Sequence, residues 1–166
     1  MKISGLRSER TIYAACFLLF ALSVYKVATF KPGPIKDDPG LPHSVTWNTL
    51  AQLDYRKGVA SAKLERYNGI HVRVPGFMVP VGDSVQNTDE FLLTPVSMGC
   101  IHVPPPPPNS VIHVKMKDRV AYSWKPIWVS GKLSIEKEKA PEGLASFKMS
   151  GISVAPYEGS GFPVQD

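Results

Sequence analysis

The sequence predicts a mainly β protein: a small five-stranded OB-like barrel with a short N-terminal helix, preceded by an apolar leader helix. Three observations predict it. Beyond Asn68-Gly69, apolar residues recur at every second position in five separate segments, the repeat of a strand with one buried face. Joints rich in Pro, Gly, Asn and Ser separate those segments, and two segments carry a glycine suited to the bends of a small closed sheet. Strands do not alternate with helical stretches, which disfavours an α/β fold. A small sandwich is the second choice. The 166 residues are 43% apolar and 20% charged, enough for one packed core, and 16 prolines with 13 glycines suit a loop-rich β chain.

The leader comes first. Lys2, Arg7 and Arg10 precede "TIYAACFLLFALSVY", the charged and apolar regions of an export signal. That run has almost no polar face, so it does not read as a core helix. As a helix it spans roughly 22 Å, short of a bilayer core of ~30 Å, but continuation through "KVATF" to Phe30 would cross one. Ala21-Leu22-Ser23 offers a small-x-small cleavage site, whereas Lys26 spoils a cut after Ala28. Cys16 is followed by the apolar run rather than preceded by it, so it does not read as a lipidation site. Residues 1–30 are therefore expected to be a signal peptide or membrane anchor, which places the rest in the periplasm or on the inner membrane facing it. "KPGPIKDDPGLPH" continues as an extended linker, 31–45.

The domain follows at 46–157. Thr46 reads as an N-cap, with Trp47, Leu50 and Leu53 at helical spacing toward Tyr55. This short helix is expected to fray into "RKGVASAKLERYNG". "IHVRVPGFMVPV" is the first strand, with Pro75-Gly76 as a bulge or bend. Glu90 to Val96 is the second strand, "SVIHVKM" the third, "PIWVSGKLSI" the fourth with a bend at Gly131, and Phe147 to Val154 the fifth. "EKEKAPEG" is a solvated turn between the last two, and 158–166 is a C-terminal tail. Met78 reads as core. His43 is expected to be solvated in the linker, and His71 and His113 lie on the polar faces of their strands.

Charge excludes one class of partner. Residues 1–31 carry five Lys or Arg and one acid, while residues 32–166 carry fourteen against thirteen. The positive charge sits on the leader, so the domain is not expected to bind nucleic acid. The chain has no Gly-rich phosphate loop, no paired-acid constellation and no stacking platform.

The segments "GFMVPV", "EFLLTP", "CIHVPPPPPN" and "WVSGKL", in this order over roughly Trp47 to Val154, resemble the bacterial DUF3299 family, a family of exported proteins of unassigned activity. The resemblance implies the domain boundaries and the compartment, and it points to the Cys-x-His-poly-Pro string. It supplies no reaction. The family pattern has Gln where this chain has Ser110, and an apolar-Tyr strand where it has His113, so it assigns His113 no role.

That string, "SMGCIHVPPPPPNS", is the most specific feature of the chain. Val103 precedes proline and is biased to extended geometry. Pro104, Pro105, Pro106, Pro107 and Pro108 make a rod of about 15 Å without N–H donors, ending at Asn109. In an extended segment Met98, Cys100 and His102 share a face. These are ligands for zinc or copper, with His113 or His71 as a further ligand from elsewhere in the fold. Three readings stay open: a buried thiol and bonded imidazole that anchor a stiff loop, a metal site, or a reactive thiol. Cys16 lies in the leader, so Cys100 has no intrachain disulfide partner in an oxidising compartment. No acid beside His102 orients it, so a cysteine hydrolase is disfavoured. The function expected is a binding or accessory module of the bacterial envelope with loop 98–109 as its specific surface. The alternatives are a thiol-dependent enzyme or redox protein using Cys100, and a structural partner in an envelope complex.

Overall fold

The structure, a computed structural model, describes Tyr13 and residues 35–81, 86–97, 106–136 and 145–158. All but Tyr13 of the predicted leader lies outside them. Among the described residues no helix is long and apolar enough to cross a membrane.

The chain enters the domain through β1 (His43–Ser44), α1 (Trp47–Leu50), a hairpin of β2 (Leu53–Asp54) with β3 (Val59–Ala60), and α2 (Ala62–Glu65). Five longer strands follow: β4 (His71–Pro80), β5 (Asn87–Thr94), β6 (Ile112–Ala121), β7 (Ile127–Ile135) and β8 (Phe147–Pro156). They pair in the order β4-β5-β6-β8-β7, and β7 returns to β4. The β6–β8 pair is parallel and the other barrel pairs are antiparallel. This is the closed five-stranded barrel of the OB kind. β1 adds outside the closed cycle, parallel to β4.

Closure depends on β4 changing partner. His71 to Gly76 pair with β7, and Phe77 to Pro80 pair with β5. Of the bulge or bend expected at Pro75-Gly76, the bulge is absent, because β4 keeps its register on both neighbours. The pair marks the partner switch instead. A Cβ on Gly76 would lie 2.8 Å from both Leu93 Cγ and the Thr94 carbonyl oxygen, so only glycine lets β5 approach here. The bend expected at Gly131 is present as a register shift between Ser130 and Gly131 against β8.

The helix prediction needs correction. Thr46 is the N-cap, but α1 is a single turn and α2, capped by Ser61, is a second one. The Asp54 carboxylate accepts the N–H groups of Arg56 at 3.1 Å and Lys57 at 3.2 Å. That local turn closes the β2–β3 hairpin, whose first strand starts at Leu53, where a second helical turn would lie. The apolar stripe still points inward: Trp47 is 4% exposed, Leu50 0% and Leu53 1%. Strand limits shift as well. β6 runs on to Ala121, past the predicted Met116, because Thr88 and Asn87 of β5 pair with Val120 and Ala121 beyond an irregularity between Thr88 and Glu90.

Period-two burial fills the interior. Val72 and Val74, Phe91 and Leu93, Ile112 and Val114, Val129 and Leu133, and Phe147 and Met149 all face one core. Met78 belongs to it, as expected. The registers define two barrel ends. Thr94, Ile112, Ile135 and Phe147 lie at one; Pro80, Asn87, Ala121, Ile127 and Pro156 lie at the other.

Candidate functional site

The proline segment joins β5 to β6 at the first of these ends. Of the predicted site residues, Met98, Cys100, His102, Val103, Pro104 and Pro105 lie outside the described residues. From Pro106 onward the segment is defined. Pro107 has φ −63° and ψ 152°, the polyproline conformation its fixed ring favours, and it is exposed. A single 3-10 turn, Pro108–Ser110, then leads into β6.

This exit is pinned on three sides. Ser110 N–H donates to Pro107 O at 2.8 Å, and Ser146 N–H, just before β8, donates to Pro108 O at 3.0 Å. The Asn109 amide donates to the carbonyls of Ala51 at 3.3 Å and Leu53 at 3.1 Å, which tie the rod to the α1–β2 segment. An amide side chain reaches two carbonyls of one turn, and no apolar side chain can replace it. Asn109→Ala should therefore lower stability by about 1–2 kcal/mol. Asn109→Asp, which keeps the shape but loses the donors, should lose at least as much. Urea unfolding at unchanged m-value checks both; a midpoint equal to wild type in either variant would show that the staple contributes nothing.

His113 lies on β6 facing away from the core, as its alternation predicts. Its Nε2 is 2.7 Å from Glu90 Oε1 on β5, which leaves Nδ1 as the other ring nitrogen. Lys115 bridges Asp89 at 2.9 Å and Glu90 at 3.2 Å. The Lys115 ammonium, and after it the His113 ring, hold the Glu90 carboxyl below its ordinary range, and Lys115 does the same for Asp89. In turn these two acids push Lys115 up. His71 is half-buried. Its backbone N–H and its Nδ1 both contact Asp37 Oδ1 at 2.8 Å, which lowers the Asp37 pKa. His43 sits in β1 with its ring bonded to Lys36 O at 3.0 Å. Among the described residues no three His, Cys, Asp or Glu side chains cluster closely enough to hold a metal ion.

The opposite barrel end carries a feature that the sequence reading missed. The β6–β7 turn and the end of β8 enclose an open cavity of about 440 Å³, walled by Met78, Tyr122, Pro126, Ile127, Val154 and Tyr157. That volume lies in the range of small-ligand and peptide sites. Trp124, 79% exposed, meets Tyr122 edge-on with ring centroids 4.8 Å apart. Tyr157 packs on Trp128 at 5.3 Å, and the Arg73 guanidinium lies over Trp128 at 4.7 Å while its Nε donates to Ser44 Oγ at 2.6 Å. The available signal was "YSWKP": two large aromatics inside a predicted turn, where a core has no use for them.

Residues 44–156 match the sequence profile of a family described as Protein of unknown function (DUF3299). Among solved structures, the chain is similar to the crystal structure of a DUF3299 family protein from Pseudomonas aeruginosa. The two share 28% sequence identity, with a TM-score of 0.54, over 74% of this chain and 100% of the other. No curated protein matches the chain.

Proposed function

Since the chain belongs to the DUF3299 family, whose function is unknown, we propose from its own residues that it is a binding or accessory module of the bacterial envelope, exported or anchored by its N-terminal apolar run, with loop 98–109 as its recognition element. The pinned exit of the proline run, from Pro106 to Asn109, carries this reading. Pro107 holds polyproline geometry, and the Asn109 staple and the Pro108–Ser146 bond fix the exit to two different elements. A segment so constrained loses little conformational entropy when it is bound, which favours recognition. The compartment rests on the charged and apolar regions of the leader. The small net charge of residues 32–166, and the acids that flank Lys115 on the outer β5–β6 face, support a partner other than nucleic acid.

The test has two arms. Alkaline phosphatase fused after Asp166 should be active, and a photoreactive residue at position 107 should crosslink in cells to a defined protein, with the yield falling sharply in Asn109→Ala. An inactive phosphatase fusion overturns the compartment. Absence of any crosslink from position 107, with crosslinks from control positions on the barrel wall, overturns the recognition element.

One observation favours a metal within the same reading. A carboxylate on one ring nitrogen is the usual way to orient a histidine whose other nitrogen binds a metal, and Glu90 stands in that position on His113. Cys100 as thiolate, with His102 and His113 as neutral imidazoles, would suit zinc or copper. Protein purified without chelator should carry metal that Cys100→Ser, His102→Ala and His113→Ala each remove. Affinity should fall as pH is lowered, because protons compete with the metal for thiolate and imidazole ligands. Equal metal content in wild type and Cys100→Ser would overturn the site.

A further inference from the structure

The aromatic cavity and the proline rod occupy opposite ends of one barrel. We infer that they fit each other between molecules: the cavity beside Tyr122, Trp124 and Tyr157 receives the Pro106–Pro107 step of a second copy, so that copies associate head to tail. This rests on the reading of the rod as the recognition element and names its partner.

Four observations carry it. The cavity wall is built from the kind of side chain that receives polyproline segments elsewhere, namely Tyr122 and Tyr157 beside Pro126 and Pro156, around an apolar floor of Met78 and Ile127, with exposed Trp124 edge-on to Tyr122 outside it. Flat rings pack on pyrrolidine faces at little entropic cost on either side.

The cavity wall is also fixed in advance. Tyr157 N–H donates to Pro126 O at 3.2 Å, and Tyr122 N–H to Gln86 O at 3.1 Å. Ser123 closes the turn by donating to Lys125 O at 2.9 Å. Behind Tyr157, the Trp128–Arg73–Ser44 stack completes the support.

The third observation is complementarity of polar groups. The Pro106–Pro107 step carries no charge and no N–H donor, and with Pro107 O already held by Ser110 N–H it presents Pro106 O as its acceptor. The rim offers the Lys125 ammonium and the Tyr122 hydroxyl, which can donate, and the cavity lining holds no carboxylate.

Finally, the geometry excludes docking within one chain. The rod exits at Ile112, and the cavity turn begins after Ala121, at the far end of the same strand. On the paired strand β5 the same interval runs from Leu93, opposite Ile112, to Asn87, opposite Ala121, six residue steps at about 3.3 Å or roughly 20 Å, and the bonds of Pro108 and Asn109 hold the rod's exit at its own end. A rod at one end and its receptor at the other form a heterologous contact, which repeats or closes into a ring rather than stopping at a symmetric pair.

The test uses the full chain in detergent. Two variants are made: Tyr122→Ala with Tyr157→Ala, which removes both aromatic walls of the cavity but keeps the rod, and Pro106→Gly with Pro107→Gly, which breaks the rod but keeps the cavity. Wild type should associate with rising concentration in sedimentation velocity, and each variant alone should stay monomeric. An equimolar mixture of the two variants should form a one-to-one pair and nothing larger. A labelled peptide spanning residues 103–109 should bind wild type and the rod variant at least tenfold more tightly than the cavity variant, with circular dichroism showing all three folded. Three outcomes would overturn the inference: association of either variant alone at the wild-type level, failure of the mixture to pair, or peptide binding that ignores the cavity substitutions. A position-107 crosslink to a different envelope protein, together with a mixture that does not pair, would remove the second copy as partner and leave the recognition reading in place. Peptide binding restored only after truncation beyond Glu158 would make residues 159–166 the occupant and would also overturn it.

Discussion

Gly131→Ala is expected to destabilise the barrel by roughly 3 kcal/mol or more, the upper end of what overpacking costs. Alanine in a strand is ordinarily the better residue, by about 0.5–1 kcal/mol, so the expected sign comes entirely from contact. A Cβ at this position would strike the Ser150 carbonyl oxygen and lie 2.8 Å from Gly151 Cα and 2.9 Å from Met149 Cγ. Two of those neighbours are backbone, and β8 cannot retreat freely because its other edge pairs with Val114 to Met116 of β6. The strand must therefore shift against two partners at once. Chemical unfolding of the full chain should show the midpoint fall with the m-value kept. A midpoint equal to wild type would mean that β7 and β8 do not approach as closely as Gly131 and Gly151 allow.

Trp47→Ala should be at least as damaging. The ring is almost fully buried against the barrel core, and removing such a side chain costs about 3–5 kcal/mol. Its Nε1 also donates to the Pro75 carbonyl at 2.6 Å, beside the residue where β4 changes partner. Trp47→Phe separates the two contributions, because it keeps most of the packing and loses the N–H. It should cost about 1 kcal/mol, with a loss of protection from amide exchange around Val74 and Phe77. A Trp47→Phe as unstable as Trp47→Ala would assign the whole effect to the hydrogen bond.

The strands were legible because burial on one face leaves a direct mark in sequence: Val72 and Val74, or Ile112 and Val114, alternate as their environments do. Their cyclic order is not written in periodicity. It depends on β4 serving two neighbours, and Pro75-Gly76 announces a special backbone position without saying which kind. The stretch after Thr46 was misread for a physical reason. Trp47, Leu50 and Leu53 satisfy helical spacing, while Leu53 and Asp54 pair with Ala60 and Val59 in a hairpin whose turn the Asp54 carboxylate closes. The family motif was visible because five adjacent prolines are rare and stiff. The aromatic cavity was not, since Tyr122 and Tyr157 come from a turn and a strand end that only the closed barrel brings together. Contacts such as Asp37 with His71, 34 residues apart, leave no local pattern to read.

The seam between β4 and β7 also sets the order of events when the chain folds. It joins His71 to Lys132 and Gly76 to Ile127, so each bond closes a loop of about fifty to sixty residues. Hairpin β4–β5 and its neighbour β6 can pair early, because their partners are near in sequence. Until Ile127–Ile135 has been synthesised, the first half of β4 has only the two-residue β1 beside it, and its backbone groups toward β7 stay open to water. Distant pairings of this kind place small β barrels among the slower single domains, at milliseconds to seconds. Nascent chains halted before residue 127 should thus remain protease-sensitive along β4, and protection should arrive in one step once β7 is available to complete the circle.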